Sequence, residues 1–107
     1  MYIARALSHQ DEFFAAIDAA TNNLPPEVVD VRYALGTDWN GEPAVFFKVI
    51  LKDDEIPRAD LLAVTWKFSR DIVQQLSPLE EWGVLPHFRF LTQTEYERVK
   101  AVEPTWA

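Results

Sequence analysis

Two histidines are the first candidates for acid–base or metal chemistry in this chain. His9 stands close to Asp11 and Glu12, so an imidazole and two carboxylates fall within one short stretch. Those are metal-ligand types, but at the start of a helix they cannot all converge on one ion without help from elsewhere. The same acids suit the positive end of a helix dipole, which is the simpler reading. His87 follows Pro86 among aromatic residues and reads as a strand-edge residue; it is a general base only if a cleft reaches it. No H-x-x-x-H or H-x-H spacing is present. The run Asp38-Trp39-Asn40-Gly41-Glu42 superficially resembles a calcium loop, but lacks the third acidic position, the correct glycine and the distal glutamate. Asp53-Asp54-Glu55 reads as a solvated turn or as a docking site for a basic partner or a divalent ion. Glu80 and Glu81 are adjacent on a helix and do not face one site.

Nucleophile and phosphate motifs are missing. There is no G-x-S-x-G, no Walker loop and no G-x-G-x-x-G, and three glycines leave little to build a phosphate cradle. The absence of cysteine removes disulfides, thiolate metal sites and cysteine nucleophiles together. No catalytic residue, metal site or cofactor is therefore assigned, and a non-enzymatic protein is expected. The alternatives are a small-ligand or metal-binding protein, or an enzyme whose carboxylate or histidine site is assembled by the fold.

The 107 residues make one domain, 1–107, with ordinary hydrophobic (49%) and charged (25%) fractions. Seventeen acidic residues against ten basic ones leave a net charge of -7, which repels a polyanion unless a basic patch is hidden in it. The start Met1 to Leu7, broken by Arg5, is too short for a signal-peptide core. No apolar run approaches the roughly 20 residues of a membrane span. A soluble, cytoplasmic protein is expected.

The elements that must position these residues follow from periodicity. Ser8 and Asp11 have capping-box spacing before a helix over about 9–22, with Phe13, Ile17, Ala20 and Leu24 at helical intervals. Residues 2–7 are either a short added strand or a loose arm. Val29, Val31, Tyr33 and Leu35 alternate with Val28, Asp30, Arg32 and Ala34. Val45, Phe47, Val49 and Leu51 alternate with Ala44, Phe46, Lys48 and Ile50. With Asn40-Gly41 between them, these are the strands of a β-hairpin whose odd-numbered residues face the core. Setting Asp30 opposite Lys48, and Val31 opposite Phe47, avoids the like-charge pair Arg32–Lys48 and is the expected register.

Pro57 opens a second helix marked by Leu61, Thr65, Phe68, Ile72 and Leu76, which stops before Pro78. Ser77 with Glu80 opens a single turn that Gly83 closes. Val84 to Leu91 is a third strand, and Thr92 with Glu95 caps a last helix at roughly 93–101. The fold class is α+β, with element order α-β-β-α-β-α and helices packed on one face of a three-stranded antiparallel sheet of order 3-1-2.

Counting the single turn, this order resembles the α-β-β-α-α-β arrangement of type II KH domains. The resemblance covers element order. KH domains clamp nucleic acid with a G-x-x-G loop, and this chain has none, so nucleic acid is not an expected partner.

Phe46 and Ile50 lie on one side of their strand, on a second face diluted by charge. That face needs a cover: a partner subunit, the final helix with Trp106, or the N-terminal arm. Trp39 at the hairpin tip either folds back over the sheet, which its size favours, or anchors another molecule. Trp39, Phe46, Ile50, Asp53, Asp54 and Glu55 are accordingly the candidate interaction residues. The expected mode is a homodimer or a complex with a basic partner.

Overall fold

The computed structural model describes residues 3–53 and 58–102. The hairpin pairs β1 (Val28–Thr37) with β2 (Pro43–Leu51) in antiparallel fashion. Its tip is a tight turn in which Gly41 N–H donates to the Asp38 carbonyl at 3.0 Å and Asp38 N–H to that of Glu42 at 3.0 Å. Gly41 carries the positive φ (79°) this loop needs, where a Cβ would be strained. The Asp38 carboxylate completes the turn, accepting the N–H groups of Asn40 (2.9 Å) and Glu42 (3.0 Å) through Oδ1.

That turn fixes the register, and it is not the expected one. Arg32 lies opposite Lys48, Asp30 opposite Ile50 and Tyr33 opposite Phe47. The like charges find different partners. Arg32 lies 3.9 Å from Asp30, two residues back on the same face, while Lys48 Nζ sits 5.9 Å from the centre of the Tyr96 ring. A register shift between Val28 and Asp30 corrects a second expectation. The bulge turns Val28 into the core and leaves Val29 42% exposed, so the odd-numbered inner face of β1 begins at Val31.

The third strand, β3 (Leu85–Thr92), joins β2 in parallel, so the sheet is mixed and its order is β1-β2-β3. The expected antiparallel order 3-1-2 is not observed. The physical reason lies in β2, whose Ala44, Val45, Phe47, Val49, Ile50 and Leu51 are all buried. A strand apolar on both faces belongs in the middle, whereas β1, with exposed Asp30 and Arg32, suits an edge.

Among the described residues there are also five helices: α1 (Arg5–Ser8), α2 (Gln10–Ala20), α3 (Arg58–Leu76), α4 (Pro78–Trp82) and α5 (Gln93–Val102). Residues 5–8 are therefore helical, neither strand nor arm. Ser8 closes α1 instead of capping α2, whose N-cap is His9 with no side-chain hydrogen bond. Ser77 adopts a left-handed conformation (φ 46°, ψ 58°) between α3 and α4 and makes no cap either. Gly83 closes α4 as expected, with Gly83 N–H on the Leu79 carbonyl (3.1 Å) and Val84 N–H on that of Pro78 (3.1 Å). The proposed box at Thr92 is formed: Thr92 N–H donates to Glu95 Oε1 (2.9 Å) and Glu95 N–H to Thr92 Oγ1 (3.2 Å).

Phe13 and Ile17 of α2, Phe68, Ile72 and Leu76 of α3 and Trp82 of α4 bury the inner face, Val45, Phe47, Val49 and Leu51. Phe47 stacks on Phe88 at 4.9 Å and Phe13 meets Trp82 at 5.0 Å. Over β1, Tyr33 touches Phe14 (5.4 Å) and donates its hydroxyl to Asp18 (2.9 Å). Partial burial, then the Asp18 carboxylate, push the Tyr33 phenol above its ordinary pKa. Helices are not confined to one face, because α5 lies across the other.

Candidate functional site

The outer face of the sheet carries the even-numbered residues of β2 and the odd-numbered residues of β3, and its two ends differ. At one end Ile50 and Leu91 pack beneath Tyr96 and Val99 of α5. The sequence places α5 there through its first turn. The Thr92–Glu95 box starts the helix, and the Asp53 carboxylate accepts Thr94 N–H (2.9 Å) and the Thr94 hydroxyl (2.8 Å). Those bonds, the backbone one first, hold the Asp53 carboxyl below the usual carboxylate range. Tyr96 lies between two cations, with Lys48 Nζ 5.9 Å and Lys100 Nζ 5.3 Å from its ring centre.

At the other end, beside the hairpin tip, three rings meet. His87 stacks on Phe46 (centroids 5.3 Å, planes 18° apart) and touches Trp39 (5.5 Å, 58°). Gly36 makes room for Phe46: a Cβ there would lie 3.3 Å from Phe46 Cε2. His87 Nε2 faces Asp38 Oδ2 at 3.7 Å, too far for a hydrogen bond, and among the described residues this buried nitrogen has no hydrogen-bond partner. The Asp38 carboxylate is committed to the turn, so the pair lacks the geometry of a base activating a nucleophile.

The candidate interaction residues are thus dispersed. Ile50 is 3% exposed beneath α5, Asp53 braces that helix, and Phe46 is half-buried between Gly36 and His87. Asp54, Glu55 and Trp106 lie outside the described residues. Trp39 touches His87 yet remains 82% exposed, so folding back does not hide it. His9, Asp11 and Glu12 are exposed, and the nearest partner of the His9 ring is Ser8 Oγ, 2.9 Å from Nδ1. Among the described residues no three His, Asp or Glu side chains come together to hold a metal ion. No helix among them is long and apolar enough to cross a membrane.

Two features were missed by reading the sequence. On α3, Leu62 and Trp66 are 66% and 64% exposed, one turn apart, and Arg70 lies 4.5 Å over the Trp66 ring. Their flank continues into half-buried Val73. The signal was available: Leu62, Trp66 and Val73 form a second stripe at i, i+4 and i+11 beside the core stripe. The other feature is a cleft of about 470 Å³ between the end of α2, the following loop and α3, with Leu24, Pro25, Phe68 and Ile72 along it and Lys67 and Asp71 also lining it. No family model matches the chain, and no curated protein is found to match its sequence.

Proposed function

We propose that the protein works by association, as an interaction module whose first partner is a second copy of itself. The observation that carries this reading is that Trp39 and Trp66, two of the three described tryptophans, keep most of their surface in solvent on ordered supports. Large aromatic rings held out in this way are the usual anchors of protein interfaces. The net charge of -7 makes a basic protein the other natural partner. A reducing, cytoplasmic setting suits a chain without cysteine. Sedimentation equilibrium at increasing concentration tests self-association. A dimer weakened by Trp66→Ala or Trp39→Ala supports it, and a monomer throughout the high micromolar range rejects it.

A second reading concerns the cleft between α2 and α3. Its apolar lining with Lys67 and Asp71 suits a small amphiphilic molecule. A thermal-shift screen against metabolites addresses it, and the absence of any reproducible shift counts against a ligand.

A further inference from the structure

We infer that His87 and Asp38 form a proton-operated clasp at the hairpin tip: when the imidazole takes a second proton it closes on the Asp38 carboxylate and holds the turn, and Trp39 with it, against β3. The clasp lies within one chain, so it goes beyond the self-association reading and does not depend on it.

The way this end of the sheet is filled puts the two groups face to face. Phe46 and His87 are direct neighbours in the parallel register of β2 and β3. Gly36, opposite Ala44, leaves the space that the Phe46 ring uses. His87 stacks on that ring and presents Nε2 to the turn. Asp38 meets it there with a side chain only 2% exposed. Its two oxygens do different work: Oδ1 accepts the N–H groups of Asn40 and Glu42, while Oδ2 faces Nε2 at 3.7 Å. The turn thus fixes one jaw of the clasp and leaves its second oxygen available to the other.

A neutral imidazole serves this geometry poorly. With its single proton on Nδ1 it turns a lone pair toward the carboxylate; with the proton on Nε2 it is a neutral donor too far away for a hydrogen bond. In both forms Nε2 is buried without a partner, which costs stability. The imidazolium carries an N–H on each nitrogen together with a positive charge. An ionic N–H···O bond closes to about 2.7–2.9 Å, so the tip needs to move by only about 1 Å. The His87 side chain is 30% exposed and Nδ1 is not enclosed as Nε2 is, so the proton arrives from solvent without opening the core. The neighbouring rings favour the charged form as well: Phe46 at 5.3 Å and Trp39 at 5.5 Å both lie within the roughly 6 Å over which a cation is drawn to an aromatic ring.

The other charged groups around His87 do not take the place of Asp38. Lys48 of β2 and Arg89 of β3 stand two residues further along the same outer face, opposite one another, and as cations they oppose a charge at His87. Both have interactions of their own. At this level β1 brings Ala34 and Gly36, neither of them titratable. Glu42 on the turn is exposed. Among the described residues Asp38 is therefore the carboxylate that faces the ring, and it does so where water screens least.

The consequence falls on Trp39. The ring contact and the charge contact between the turn and β3 both fall on His87. Trp39 sits between Asp38 and Asn40, whose N–H the same carboxylate holds. In the neutral state the tip leans on β3 through rings alone; with the proton in place it is pinned by its own turn-forming carboxylate. Histidine is the side chain whose charge ordinarily changes between about pH 5 and 8, so the clasp would work in that window.

Nuclear magnetic resonance on the dilute full chain, titrated between about pH 5 and 8, tests the proposal. The wild type is compared with Asp38→Asn, which keeps an oxygen for the turn but loses the charge, with His87→Phe, which keeps a ring on Phe46, and with His9→Gln, which removes the other histidine. The expected result is that the Trp39 indole N–H and the Asn40 and Glu42 amides shift along one curve with the His87 ring, and that the Trp39 indole becomes less mobile in acid. His9→Gln should keep this response, and Asp38→Asn and His87→Phe should lose most of it. A wild-type tip that does not respond while His87 titrates overturns the clasp, as does a folded Asp38→Asn that responds as the wild type does. Should Asp38→Asn fail to form the turn, His87→Phe decides: a tip response that survives in it overturns the proposal, and its loss supports it.

Discussion

The two ends of the outer sheet face are built on the same strands and treated in opposite ways. At the Ile50 end a helix is bolted down by reciprocal caps and closes over Ile50 and Leu91 through Tyr96. At the Phe46 end, among the described residues, no helix closes over the face; His87 stacks on Phe46, and the tryptophan on the turn beside it stays in solvent. Both ends carry large apolar side chains, so hydrophobicity alone does not decide which is buried. The difference is a start signal for a helix within reach of one end: Asp53 at the end of β2 and Thr94 after β3 meet because β2 and β3 run parallel.

The sharpest way to break this comparison is to truncate one residue at each end. Ile50→Ala should cost about 2–4 kcal/mol, the range for a buried aliphatic side chain. Phe46→Ala, half-exposed, should cost only about 1–2 kcal/mol despite its larger ring. Urea denaturation reads both, and equal losses would mean that the two ends are equivalent in solution. Gly36→Ala comes next, at about 1 kcal/mol, because the new methyl must displace the Phe46 ring. A shift of the Phe46 and His87 ring resonances, with the Ile50 and Leu91 methyls unmoved, would confirm that the disturbance stays at the open end.

Asp53→Asn should lower stability at neutral pH by a smaller amount, and this effect has a pH signature. The Asp53 carboxyl is held below its unfolded value, so its contribution is present above the ordinary carboxylate range and is lost as pH falls through the lowered pKa. Wild type and Asp53→Asn should thus converge in acid, and a difference independent of pH would show that the carboxylate is not what braces α5. Trp39→Ala should have the smallest effect, within about 0.5 kcal/mol, since the ring gives up little water in the folded chain. A larger drop in melting temperature would mean that Trp39 is a cover and not an anchor.

Much of the architecture was legible. Periodicity located the hairpin, the helix from 58 to 76, the third strand and the last helix, and the Thr92–Glu95 spacing told its own cap. The same spacing at Ser8 and Ser77 misled, because a cap needs a backbone conformation that spacing does not reveal; Ser77 is left-handed and Ser8 ends a helix. The register failed for a related reason. Opposing Arg32 and Lys48 looked costly in isolation, but Asp30 and Tyr96 take up the two charges separately. Strand order was readable in principle from β2, apolar on both sides and so central. Of the candidate site, Trp39 was found by its place in a turn, while the stripe of Leu62 and Trp66 was masked by the stronger core stripe beside it.

The parallel pairing of β2 with β3 has a consequence for how the molecule is made. The hairpin closes on itself through a five-residue turn, but β3 cannot form its first bond to β2 until the whole of residues 52–84 has been drawn into a loop. Since α5 rests on Leu91 as well as Ile50, it must wait for that strand too. A chain emerging from synthesis would hold a finished ribbon with β2 still lacking its second neighbour.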